Sequence, residues 1–154
     1  MENQSLNSNP IGWDAKYFRT DGYVKDAVYP VVTVISSKDE LEQYHEAYKD
    51  KYDFSKRLNG YIDSSAGFLD AMENYSDAFF AKSFLVFILV EEGSGSVRHQ
   101  VDSVEENGGI VISRLLPEMG TADMAQWHII VEFDNSFKQE RFNTILIDKS
   151  IKCR

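Results

Sequence analysis

Phe84–Val101 reads FLVFILVEEGSGSVRHQV, and the division of this stretch decides the fold. Its first seven residues are continuously apolar, as required of a central strand covered on both faces. After a Glu-Glu-Gly-Ser-Gly-Ser interruption, Ser96–Val104 (SVRHQVDSV) alternates apolar and polar, the period of a half-buried strand. Asn107-Gly108-Gly109 then marks a tight hairpin, and Ile110–Leu116 (IVISRLL) is the returning strand. Trp127–Phe133 (WHIIVEF) and Asn143–Ile147 (NTILI) complete the series.

Upstream the pattern changes. Tyr29–Ser36 (YPVVTVIS) is β-branched and starts at a proline, so it reads as a strand. Ser37 with Glu40 three residues on forms a capping box, and Leu41, Tyr44, His45 and Tyr48 then fall on one helical face. Ser65–Tyr75 reads as a short helix weakened by Gly67, and SDAFFAKS (76–83) as a turn or a single helical turn. Residues 50–65 read as irregular, with a turn at Asn59-Gly60. The expected class is α+β: an antiparallel meander of about five or six strands in the C-terminal half, with one or two N-terminal helices packed on it. Residues 1–12 are expected to be a flexible leader and 13–154 a single domain.

Composition narrows the function. With 43% hydrophobic and 13% aromatic residues the chain can build a core, and its net charge of −9 disfavours nucleic acid or an anionic membrane surface as partner. The longest apolar run, Phe84–Val90, is far shorter than the roughly 20 residues of a membrane-spanning helix. Cys153 is the only cysteine, so no internal disulfide can form, and its position next to the terminus suits no catalytic thiol.

The Gly/Ser segment is not a phosphate loop. Its glycines lead into a strand rather than a helix start, and no Gly-Lys-Ser/Thr follows. Glycines at 93 and 95 permit positive φ in a strand connection, yet the segment is longer than a minimal hairpin turn. It therefore reads as a turn that can double as a binding tip, through Gly93, Ser94, Gly95, Ser96 and Arg98. The connection 117–126 is also too long for a turn, and it offers Met119, Gly120, Asp123 and, just beyond it, Trp127 as contact residues. Both connect strands of one meander, so they cluster at one end of the sheet if the strand order allows.

Val97, His99 and Val101 share one strand face and Arg98, Gln100 and Asp102 the other, so His99 reads as a hydrogen-bonded, half-buried histidine. His128 alternates against Trp127, Ile129, Val131 and Phe133 and points to the opposite side. His99, His128 and a carboxylate such as Glu118 or Asp123 define an alternative, metal-dependent reading, although their spacing matches no motif. The pairs Glu91-Glu92 and Glu105-Glu106 read as solvated edges, because adjacent strand side chains diverge. No serine-hydrolase elbow is present. The residues point to a binding domain without a cofactor rather than to an enzyme.

The segment YSDAFFAKSFLVFILVEEGSGSVRHQVDSVEENGGIVISRLLP followed by WHIIVEF resembles the C-terminal domain family of the protease-complex subunit PrcB. The resemblance rests on Tyr75, Asp77, Phe79, Phe80, Gly93–Ser96, Val101, Ser103, Val104, Gly109, Pro117 and Val131, and spans about residues 75–134. The sequence is also similar to small lipoprotein-like proteins of Gram-positive bacteria, through EEGSGSVRH and PEMGTADMAQWH. The resemblance implies an extracytoplasmic, non-catalytic domain that supports or regulates a protease. It carries over no catalytic residue.

Overall fold

The computed structural model describes residues 12–55 and 67–151. The expected leader (apart from Gly12), the Asn59-Gly60 turn and Cys153 lie outside them. In chain order the described elements are β1 (Trp13–Arg19), β2 (Val31–Ile35), α1 (Lys38–Tyr48), α2 (Phe68–Met72), α3 (Asp77–Lys82), β3 (Ser83–Glu92), β4 (Arg98–Val104), β5 (Gly109–Pro117), β6 (Ala125–Asp134) and β7 (Asn143–Ile151). The class is α+β, with most strands in the C-terminal half.

The strands do not form one meander. They divide into a four-stranded antiparallel sheet, β1-β6-β3-β2, and a three-stranded sheet, β4-β5-β7, in which β5 and β7 run parallel. The side chains supply the reason. β3 and β6 are apolar on both faces, so each is most stable as an interior strand, and they pair with each other along ten residues. β4 keeps a polar face, with Arg98 and Gln100 exposed, and so belongs to a sheet that is wet on one side. The Gly/Ser segment therefore arches between sheets; it is not a hairpin tip. The β4–β5 hairpin does form, with Gly108 at φ +95° and the Glu105 amide donating to the Gly109 carbonyl at 2.7 Å.

Two cores result, one on each side of the four-stranded sheet. Phe84, Val86, Ile88 and Val90 of β3, with Trp127, Ile129, Val131 and Phe133 of β6, pack against Val101, Ile110 and Ile112 of the second sheet. Leu85, Phe87, Leu89 and Ile130 face the helices and meet Leu41, Phe54, Phe68 and Phe80. The uninterrupted apolar run of β3 is thus explained residue by residue.

α1 begins at Ser37, whose hydroxyl accepts from the Glu40 amide at 3.1 Å. Glu40 reaches back to the Ser36 amide at 2.7 Å, one residue before the cap. Leu41, Tyr44 and Tyr48 turn toward the sheet, and the full burial of Leu41 is worth roughly 1.5–3 kcal/mol. His45 stacks at an angle near Phe54, with ring centroids 5.5 Å apart. No helix among the described residues is long and apolar enough to cross a membrane.

Candidate functional site

The arch from β3 to β4 and the loop from β5 to β6 meet at one end of the molecule. Asp123 is the junction. Its carboxylate accepts from the Gly95 amide at 3.1 Å and from the Arg19 guanidinium at 2.9 Å. Arg19, at the end of β1, also grips both carboxylate oxygens of Asp21, at 2.9 and 3.0 Å. Ser94 Oγ accepts from the Thr121 amide at 2.7 Å and lies 2.8 Å from Ser96 Oγ. The Arg98 guanidinium donates to the Gly95 carbonyl at 2.6 Å and sits over the Trp127 ring, 5.3 Å from its centroid. A hydrogen bond from Thr121, then Arg19 and the Gly95 amide, hold the Asp123 carboxyl well below the usual carboxylate range.

These bonds convert two long connections into one platform. Gly95 is favoured by proximity rather than by backbone angle: among the described glycines only Gly108 has positive φ, whereas a Cβ on Gly95 would meet the ends of the Asp123 and Arg19 side chains, which would have to swing aside. A Cβ on Gly120 would lie 3.0 Å from Ser94 Oγ, tight without overlap, while Gly93 has open space around it. In the same β5–β6 connection Met119 and Met124 are 82% and 59% exposed.

The contact residues expected from sequence divide accordingly. Gly93, Ser94, Gly95, Ser96, Arg98, Met119, Gly120 and Asp123 share this end of the fold. Trp127 does not reach the surface. It is 2% exposed, because its alternation with Ile129, Val131 and Phe133 carries it into the core between the sheets. Arg19, Asp21 and Thr121, which complete the platform, were not singled out in the sequence. Arg19 and Asp21 arrive through the pairing of β1 with β6, which nothing local marks, whereas Thr121 lies within the 117–126 connection itself.

The histidines are separated. His99 lies between the sheets, its Nε2 2.8 Å from Glu92 and its ring beside Trp127. His128 projects from the other face of β6 into a ring of Tyr44, Tyr52, Phe54, Phe68 and Phe87. There its Nδ1 is 2.6 Å from Thr20 Oγ1 and its Nε2 2.7 Å from Tyr44 Oη. The sheet stands between the two imidazoles, so they form no joint metal triad with Glu118 or Asp123. Burial pushes the His128 pKa down to about 3 and the Tyr44 hydroxyl well above its ordinary value.

Glu92 also departs from the solvated-edge expectation. It is 3% exposed and accepts from Arg114 through both oxygens, at 2.9 and 2.5 Å, as well as contacting His99. Burial alone would raise its pKa, but the Arg114 and His99 contacts outweigh burial and lower it to about 2. Arg114 continues to Asp148 of β7 at 2.5 Å, which ties the second sheet to β3. A cavity of about 240 Å³ beside this chain of charges is lined by Tyr29, Pro30, Val90, Glu91, Leu146 and Asp148, among others.

No family model, curated protein or solved structure matches this chain.

Proposed function

We propose that the protein is a non-enzymatic binding domain whose platform of residues 93–98 and 117–124 docks a protein partner. One observation carries the reading: the two over-long connections are knitted together at Asp123 while Met119 and Met124 of the same loop are left in solvent. A hydrogen-bonded base lowers the ordering cost of association, and exposed methionines supply adaptable apolar contact. The polar groups of the base are largely satisfied by one another, which suits a scaffold better than a reaction centre. The resemblance of residues 75–134 to a protease-complex subunit makes a protease, met outside the cytoplasm, the favoured partner class.

The test is affinity capture from the native organism with the intact chain and with a Met119→Asp/Met124→Asp variant. Both methionines are exposed, so the variant keeps the fold. A protease or cell-surface protein retained by the intact chain and lost by the variant is the expected result. Equal retention by both removes the platform as the docking site.

A further inference from the structure

We infer that the free edge of β7 is a self-association site, at which a second copy of this chain pairs antiparallel about a two-fold axis through Leu146. The Asn143 amide donates to the Gly108 carbonyl at 3.1 Å. In a parallel ladder the backbone groups of alternate residues face the same neighbour, so odd-numbered residues of β7 bond to β5. Thr144, Leu146, Asp148 and Ser150 therefore direct their N–H and C=O groups outward. No strand among the described residues takes them up.

Unpaired edges invite strand addition, and the other edges of this fold are blunted against it. β2 has five residues and follows Pro30, and β4 is broken by a register shift between Val101 and Ser103. β1 carries Asp14, Lys16 and Arg19. β7 has nine residues with no proline and no register break, its two charges, Asp148 and Lys149, are adjacent and of opposite sign, and Leu146, Ile147 and Ile151 stand 40–43% exposed on it.

The sequence of β7 selects its own partner and register. Residues directly opposite each other in an antiparallel pair must both face in or both face out, which leaves few alignments. With the axis at Leu146, that residue meets its counterpart, Ile145 meets Ile147, Thr144 meets Asp148 and Asn143 meets Lys149. Every pair is apolar with apolar or polar with charged, and no like charges meet. An axis at Ile147 would set Ile145 against Lys149 and Leu146 against Asp148. Axes at Asp148 or Lys149 would oppose identical charges. The favoured pairing gives a continuous six-stranded sheet with the two platforms at opposite ends, and it stands independently of what the platform binds.

Sedimentation velocity on the full chain, from micromolar to near-millimolar concentration, tests this. The wild type should dimerise. Leu146→Asp and Leu146→Lys should each weaken dimerisation about tenfold or more, because each opposes like charges on the axis. An equimolar mixture of the two should recover it. Ile147→Lys, on the other face of the same edge, should weaken dimerisation while circular dichroism stays native. A wild type that remains monomeric throughout, a dimer unaffected by Leu146→Asp, or a mixture no stronger than its components would overturn the inference.

Discussion

His128 should give this protein a steep loss of stability in mild acid. The side chain is fully buried among five aromatic rings, with Thr20 and Tyr44 as its polar neighbours. Its pKa falls from 6.5 to about 3 on folding. Between those values the unfolded chain binds a proton that the native state refuses, so stability rises with pH across the window and is lost as pH falls. From neutral pH down to 4.5, the ordinary value of Glu92, the linkage amounts to roughly 2–3 kcal/mol. The other depressed groups discussed here are carboxylates, whose stabilisation is lost only below their ordinary values, so the upper window isolates the histidine. Urea unfolding at a series of pH values, read by tryptophan fluorescence, should show this slope in the wild type. His128→Gln retains a donor and an acceptor for the two hydroxyls and should flatten it, whatever its stability at neutral pH. Equal slopes for the two proteins between pH 6.5 and 4.5 would refute the assignment.

Two further outcomes follow from the polar clusters. Gly95→Val places atoms against the ends of the Asp123 and Arg19 side chains, so the Gly95 and Thr121 amides should lose protection in hydrogen exchange, with a global cost of about 1 kcal/mol; unchanged protection would contradict the knotted platform. Glu92→Gln leaves Arg114 with Asp148 as its carboxylate and should cost about 1–3 kcal/mol at neutral pH by urea titration, less than a fully buried pair because Arg114 is partly solvated. The Glu92 contribution is present above pH 4.5 and fades as pH falls toward about 2, so wild type and variant should converge in strong acid.

Much of the layered architecture was legible in the sequence because burial writes itself into period. Phe84–Val90 reads as covered on both faces, and two distinct cores cover it. The capping serine and the Leu41–Tyr48 face locate α1. Strand pairing was less accessible. A glycine-rich connection looks the same in sequence whether its strands pair or arch between sheets, so the meander could not be told from two sheets. β1 was missed although Trp13, Ala15 and Tyr17 alternate on the face toward the second sheet. Its neighbours in sequence are polar, and its partner β6 lies at the far end of the chain.

The candidate site shows the same split. The two long connections were visible as anomalies of length, and Asp123 was legible within one of them, whereas Arg19, the guanidinium that it holds, belongs to β1 and was not. Trp127 is the instructive error. The alternation that sent His128 to one side of β6 also sends Trp127 inward, and taking it as a surface contact set that alternation aside.

The most direct test of the central claim is site-specific photocrosslinking in the native organism, with a photoreactive residue at Met124 on the platform and, as control, at the exposed Glu73 beside α2. The account predicts a discrete protein adduct from position 124 and none from position 73. The same adducts from both positions, or an adduct from position 73 alone, would contradict it.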